Sequence, residues 1–388
     1  MDVNRFVTHS LHDSRIARIL AAAIDAVKPG KLVQEYLQKA DLPKHDRVFL
    51  LGIGKASESM TRAASEFFND FADALVITKH ASSSTRNRII IIESGHPIPD
   101  ERSLAAGKAA LDFVSNLKEN DLLVCLISGG GSALVTTPRE GITLEELQSK
   151  TSYLLASGAT IHEINMLRQQ TDRIKGGGLA RATKAKVVSL ILSDVIGNSL
   201  ETIASGLTVD PSLRTRVQNF IVGDINIAAQ AARRQAIAEG FDSEILDLQI
   251  QGESKDVGSY LAKKLKQERE IRKAPFCLLA GGETTVTLHS NGKGGRNQEL
   301  ALAAVNELAG LKDAILISLA SDGDDGRTDA GGAVVNGETC QRAKRLGMSA
   351  SDYLSRNDAY MFFEPLNDLI KCGYTGTNVN DLIFLIGL

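Results

Sequence analysis

Cysteine is scarce in this chain: Cys125, Cys277, Cys340 and Cys372 are the four among 388 residues. They lie far apart with no metal-binding spacing, and Cys125 and Cys277 fall inside apolar runs, which points to reduced structural thiols. The seven histidines form neither an HExxH motif nor a metal pair, so a zinc enzyme is not expected. A strong excess of charge of either sign is missing as well. The 44 basic and 47 acidic side chains leave a formal net charge of −3, with no basic tail or stripe, which argues against nucleic acid as a partner. No run approaches the ~20 apolar residues of a membrane helix, and the N-terminal MDVNRFVTHSLHDSR lacks the apolar core of a secretory signal. A cytoplasmic protein with no membrane partner is therefore expected. Fixed-period repeats and low-complexity tracts are also lacking, which excludes solenoids and disordered arms.

Glycine, in contrast, is concentrated in meaningful places. Six loops each follow a short apolar run: GIGKAS (Gly52–Ser57), SGGGS (Ser128–Ser132), SDVIGN (Ser193–Asn198), AGGETT (Ala280–Thr285), SDGDDGRTD (Ser321–Asp329) and TGTNVND (Thr375–Asp381). A strand followed by a glycine loop lets backbone N–H groups approach an anionic ligand, because no Cβ stands in the way. Several such loops in one chain point to a large phosphorylated substrate.

The length exceeds what one hydrophobic core usually organises, about 250–300 residues, so two domains are expected. Val48–Ile53, Ala74–Ile77, Ile89–Ile92, Leu122–Ile127 and Val187–Leu192 are continuous apolar runs, the pattern of strands covered on both faces. They alternate with helical periodicity at Ser103–Leu117 and Asn165–Ala182, and Thr143 with Glu146 has capping-box spacing for another helix. After Gly240 the pattern predicts strands at Asp242–Gln251, Phe276–Ala280, Thr284–Leu288 and Ala314–Ala320, with helices over Lys255–Arg272 and Asn297–Leu308. The expected fold class is α/β: a Rossmann-like parallel-sheet domain over residues 1–240 and a second α/β domain with a mixed sheet over 241–388. Ligands of open α/β sheets sit outside the carboxyl ends of strands, so the site is expected at these loops, in the cleft between the domains.

The loops exclude several familiar chemistries. GIGKAS has its first two glycines too close for a Walker A loop, and Ser57 does not follow Lys55 directly. A dinucleotide fingerprint needs glycine at Ser57 and an acid where Thr78 and Lys79 stand. SGGGS is not a nucleophile elbow, because Leu134 occupies the glycine position after Ser132. SDGDDGRTDAGG is not an EF-hand, since Gly326 and Ala333 replace the fifth and twelfth ligands. What remains is a lysine, Lys55, at a helix start, and an anion-binding nest made by Ser128, Gly129, Gly130, Gly131 and Ser132. Asp194 and Asn198 at a strand end suit magnesium or a substrate hydroxyl. Arg296, flanked by glycines at a helix start and followed by Asn297, suits two-pronged recognition of carboxylate or phosphate, with Glu283 close by in the motif set. Asp322 and Asp325 are candidates for magnesium or for the general base. Thr377 and Asn378, with Thr375, can hydrogen-bond substrate or nucleotide, and Asp381 anchors their loop.

Longer motifs surround these loops: SGHPIPDERSLAAGKAAL (Ser94–Leu111), LISGGGSAL (Leu126–Leu134), HEINMLRQQTDRIKGGGLA (His162–Ala180), GKGGRNQELALA (Gly292–Ala303), SDGDDGRTDAGGA (Ser321–Ala333) and GYTGTNVNDL (Gly373–Leu382). In this order, together with SDVIGN and AGGETTV, they resemble the class of glycerate kinases that carry a MOFRL domain, from about Leu51 to Leu388. The resemblance implies ATP-dependent phosphorylation of D-glycerate at its 2-hydroxyl, with Lys55 and Arg296 in the active site and the Ser128–Ser132 loop around ATP phosphates. It departs from the family at Gly178, where arginine is common, and at Tyr374, where proline is. No role is carried onto Gly178.

The implied substrates are glycerate and ATP with Mg2+, and a homo-oligomer is left open. Phosphoryl transfer needs the donor held in line with the hydroxyl and cations where negative charge collects, which Lys55 and Arg296 would supply. Asp194 or Asp322 would accept the proton or hold magnesium. Two rivals stand beside this reading. An NAD(P)H-dependent hydroxypyruvate reductase would share the Rossmann-like appearance but needs the fingerprint that is defective here. A non-catalytic small-acid sensor would need a segment that transmits a signal, and none is visible.

Overall fold

The apolar runs of the first half become strands: β1 (Val48–Ile53), β2 (Asp73–Thr78), β3 (Ile89–Glu93), β4 (Leu122–Ile127), β5 (Lys186–Leu192) and β6 (Val217–Gly223). In the computed structural model, which describes residues 1–81, 88–156 and 161–388, these form one parallel six-stranded sheet in the order β3-β2-β1-β4-β5-β6. Every residue of β1 and β4 is buried, as central strands covered by helices on both faces require. Helices Ser57–Phe67 and Glu101–Ser115 are among the crossovers. The second starts at a capping box, with Asp100 accepting from the Arg102 and Ser103 amides while Ser103 Oγ accepts from the Asp100 N–H. The Thr143–Glu146 capping box also forms, at 3.2 and 3.4 Å, ahead of helix Leu144–Ala156. Strand order reverses between β1 and β4. In sheets of this kind the connections leaving two such neighbours diverge, and ligands bind at their carboxyl ends.

The second half builds a mixed sheet from β7 (Asp242–Ile250), β8 (Phe276–Gly282), β9 (Ala314–Ala320), β10 (Gly332–Asn336), β11 (Leu369–Ile370) and β12 (Asp381–Gly387). The order is β11-β10-β9-β12-β8-β7, with β12 antiparallel to both β8 and β9. Its core gathers Phe276, Leu278, Leu300, Leu316, Phe362, Phe363 and Leu385.

The division of the chain differs from a break at Gly240. Pro29–Asp224 form one unit, and Ile225–Leu388 together with Met1–Lys28 form the other. Helix Ile225–Ala238 packs on β7, and the amphipathic helix Ser14–Ala26 lays Ile16, Ile19, Leu20 and Ile24 against the same unit. An Arg18–Glu239 ion pair at 2.7 Å fastens that helix.

Two expected elements change. Thr284–Leu288 is not a strand but an irregular segment with one bridge, Glu253 to Thr285, because the Glu253 carboxylate takes the Thr287 amide and hydroxyl at 3.1 and 2.7 Å. The helix expected over Asn165–Ala182 is broken into Ile161–Thr171 and Gly178–Arg181, since Gly176 and Gly177 adopt φ of +53° and +80°. All four cysteines are buried and unbridged, and burial pushes the Cys125 and Cys277 thiols up to about 12. No helix among the described residues is long and apolar enough to cross a membrane.

Candidate active site

Where β1 and β4 part, the GIGKAS and SGGGS loops touch. The Lys55 N–H donates to the Gly129 carbonyl at 3.0 Å, and the Ala56 N–H donates to Ser128 Oγ at 3.0 Å. Gly54, at φ +134°, comes so near Ser128 that any Cβ would collide with it. Gly129 lies against the carboxylate of Asp194, which leaves the end of β5, and a Cβ there would strike it. Gly130, at φ +84°, is bordered by the His96 ring and by Lys55: a Cβ would lie 3.1 Å from His96 Cδ2 and 3.2 Å from Lys55 Cγ. Among the described residues the N–H groups of Gly129 and Gly130 donate to no backbone carbonyl, which makes this turn the candidate anion nest.

Around this turn the polar groups are tied in sequence. Ser132 Oγ and Ser205 Oγ are 2.6 Å apart, and the Ser205 hydroxyl donates to Asn165 Oδ1 at 2.8 Å. Ala204 and Ser205 hold φ of +49° and +55°, a left-handed backbone that side-chain-bearing residues adopt only when their surroundings impose it. Lys175 and Asp172 form a buried ion pair at 3.0 Å, and Asp172 also accepts from Thr136 Oγ1 and the Thr137 and Ile174 amides. This pair binds the loop after the glycine turn to the helix break. Asn198, expected near substrate, donates instead to the Asp224 carboxylate at 2.7 Å.

His96 is the residue that sequence reasoning passed over, although SGHPIP was among the motifs. Burial first, and then the positive charges of Lys55, Lys79 and Arg168, hold its pKa at about 4, so the ring is neutral at physiological pH.

The other unit gathers its polar groups by antiparallel register. Asp381, the first residue of β12, pairs with Gly282 at the end of β8 and with Ala320 at the end of β9. That register brings together Glu283, the loop from Ser321 and the loop ending at Asp381. Arg296, at the start of helix Arg296–Glu307, donates Nε–H and Nη2–H to the two Asp381 oxygens at 2.6 and 3.2 Å, and Nη1–H to Glu283 at 2.7 Å. Burial opposes its charge, but Asp381 and Glu283 more than offset this and raise its pKa, so it remains a cation. Three of the five guanidinium N–H groups are thus engaged.

Three expected ligands have structural partners here. Asp325 accepts from the Asn297 and Gln298 amides at 3.1 and 2.9 Å and is only 2% exposed, so it caps the Arg296 helix and is not placed to bind a metal. Burial, only partly offset by those amides, raises its pKa to about 7. Asn297 is buried, accepting from Ser318 Oγ at 2.6 Å. Thr377 is buried and donates to the Val27 carbonyl at 2.7 Å. Asp322 is half-buried and accepts from the Asp324 amide at 3.1 Å, while Asn378 Oδ1 accepts from the Asn380 amide at 3.2 Å. Among the described residues no three His, Cys, Asp or Glu side chains form a metal-binding group.

Comparison with known proteins gives this geometry its context. Residues 15–236 match the DUF4147 domain of unknown function, and residues 276–381 match the MOFRL family. The D-glycerate 2-kinase of Thermotoga maritima is 38% identical over 95% of this chain and 96% of its own. A protein of Agrobacterium vitis that bears a provisional hydroxypyruvate reductase name is 36% identical over 88% of this chain and all of its own. The crystal structure of Thermotoga maritima glycerate kinase superposes with a TM-score of 0.88 at 37% identity, covering 96% of this chain and 98% of that one.

Proposed function

The chain belongs to the DUF4147–MOFRL family of glycerate kinases, and we propose that it transfers the γ-phosphoryl group of ATP to the 2-hydroxyl of D-glycerate. The observation that carries this reading is the contact between the Lys55 loop and the Gly129–Gly131 turn, with Asp194 against it, at the point where strand order reverses. Backbone donors, a cation and a carboxylate then share the place where α/β sheets bind nucleotides. The reductase alternative fits less well. Ser57, where a dinucleotide fingerprint needs glycine, is buried and donates to the Gly54 and Ile77 carbonyls, and β2 ends in Thr78 followed by Lys79 where a ribose-binding acid belongs.

In this proposal the glycine turn receives ATP phosphate oxygens and Lys55 neutralises charge that collects on the transferring group. The ester bond forms from the glycerate 2-oxygen to the γ-phosphorus as the bond to ADP breaks, and the hydroxyl proton passes to a carboxylate. Asp194 or Asp322 takes that role. Mg2+ fits at Asp194, since magnesium prefers one or two carboxylates plus phosphate oxygens and this carboxylate already lies on the phosphate turn. The ion would neutralise phosphate charge. Arg296 keeps two N–H groups for an anionic oxygen while Asp381 and Glu283 fix its plane. Incubation with MgATP and glycerate, followed by phosphorus NMR, tests the assignment: 2-phosphoglycerate and ADP are expected. Exclusive 3-phosphoglycerate, or NADH oxidation by hydroxypyruvate without ADP, would overturn it.

A further inference from the structure

We propose that His96 is a catalytic residue of this site, its Nε2–H donating a hydrogen bond to a phosphoryl oxygen gathered by the Gly129–Gly131 turn. The inference rests on the phosphoryl-transfer reading and adds a residue to it. Its first support is position. The Cδ2–Nε2 edge of the ring borders Gly130, with Nε2 3.2 Å from where a Cβ would stand, and Lys55 Cγ is at 3.2 Å from the same point. Ring and lysine stem therefore border the same face of the turn.

The second support is the charge around the ring. Lys55 follows β1, Lys79 follows β2 and Arg168 sits on helix Ile161–Thr171, so cations from three elements act on His96. On its own segment Asp100 is engaged by Arg102, and the Asp194 carboxylate lies against Gly129. Three cations acting on one ring suit a ligand with several negative charges. A fourth full cation there would be repelled by the others. A neutral imidazole avoids that repulsion and still offers one N–H donor. The same surroundings disfavour His96 as the proton acceptor, because an imidazolium formed there would face Lys55, Lys79 and Arg168. The hydroxyl proton is thus left to a carboxylate, and His96 stays neutral from reactants to products.

Three preparations test this in the MgATP and glycerate assay: wild type, His96→Ala and His96→Gln. Absence of any phosphoglycerate from wild type would remove the phosphoryl-transfer reading itself and so is distinguishable from a failure of this inference. With wild type active, His96→Ala should lose about a hundredfold in kcat, and His96→Gln, which keeps a neutral N–H near the same place, should recover at least tenfold of that. Equal losses in the two folded variants, or an alanine variant within threefold of wild type, would reduce His96 to packing. Long-range 1H–15N NMR of the wild-type ring supplies a second reading that needs no variant to turn over. A neutral pattern at pH 6 with a change at the protonated nitrogen on adding MgADP is expected. An imidazolium pattern at pH 6, or a ring indifferent to MgADP, would overturn the proposal.

Discussion

The two units present their candidate anion-binding groups in different ways. In Pro29–Asp224 the candidate donors are backbone amides of a glycine turn, bordered by Lys55 and His96 from separate loops. In the unit built on the mixed sheet the donor is one side chain, Arg296, whose position is set by Asp381 and Glu283. A parallel sheet delivers the loop after every strand to the same edge, so closely approaching backbone is cheap to arrange there. The mixed sheet places the first residue of β12 beside the last of β8 and β9, and so orients a guanidinium through a buried carboxylate. The first arrangement is vulnerable to added bulk. The second is vulnerable to altered geometry at constant charge.

The largest effects should expose that difference. Lys55→Ala removes a charge from the turn, and Arg296→Lys keeps the charge but loses the fork that Asp381 grips. Each should cost about 10²–10³ in turnover, or about 3–4 kcal/mol, as loss of a preorganised charged contact does. Melting temperature separates the two. Arg296→Lys leaves the buried Asp381 less well paired and should lower the melting temperature as well, whereas Lys55→Ala should not. A fully active Arg296→Lys would mean that the fork contributes nothing to catalysis.

The pH dependence of stability should run in opposite directions in the two units. His96 is neutral in the folded protein down to about pH 4, while an unfolded histidine takes up its proton below about 6.5. Its contribution to stability is therefore lost as pH falls from 6.5 to 4. Asp325 keeps its proton in the folded protein up to about pH 7, while an unfolded aspartate releases it near 4. Its contribution is present below pH 4 and lost as pH rises to 7. For the buried Asp325 this is worth at most about 4 kcal/mol across its window, and for the partly solvated His96 solvent screening leaves much less. Urea titrations at several pH values should show His96→Gln flattening the acid limb and Asp325→Asn flattening the neutral one. An Asp325→Asn profile that still falls between pH 5 and 7 would place the titrating group elsewhere.

Bulk at the turn should act on ATP. Gly130→Val demands a left-handed φ of a branched residue and fills the space beside His96 and Lys55. Its apparent ATP KM should rise about tenfold or more, about 1.4 kcal/mol, with the glycerate KM far less changed. A folded variant with unchanged ATP affinity would remove the phosphate role of the turn.

The sequence made one of these arrangements more visible than the other, for a physical reason. Val48–Ile53, Leu122–Ile127 and Ala314–Ala320 appear as strands with their expected ends, because continuous burial leaves a continuous apolar run. Since parallel strands share an edge, the loops after β1 and β4 were legible as neighbours of one edge, but the contact of Lys55 with Gly129 came only from the fold. The Arg296–Asp381 fork did not, because it depends on β12 lying antiparallel between β8 and β9, and nothing in the segment TGTNVNDL states its neighbours. Asp325, Asn297 and Thr377 were read as ligands because polar residues in a glycine loop look alike whether they face a substrate or satisfy a buried amide. His96 was missed for the opposite reason. A lone histidine carries no spacing, and its importance comes from cations on three elements distant in sequence.

Thr377 offers the finest test of that ambiguity. Its hydroxyl is buried and donates to the carbonyl of Val27, the residue that closes helix Ser14–Ala26, so it ties the loop ahead of β12 to the N-terminal helix. Val is close to Thr in shape, and Thr377→Val therefore removes little but the hydrogen bond. Losing one partner of a buried pair leaves the Val27 carbonyl unsatisfied and should cost about 1–2 kcal/mol. The expected result is a lower urea midpoint with unchanged denaturant slope, and turnover within about twofold of wild type once the protein is folded. A substrate contact would behave otherwise: stability would hold while the glycerate or ATP KM rose. That outcome would return Thr377 to the binding site and show that the loop exchanges its bond to Val27 for one to the ligand.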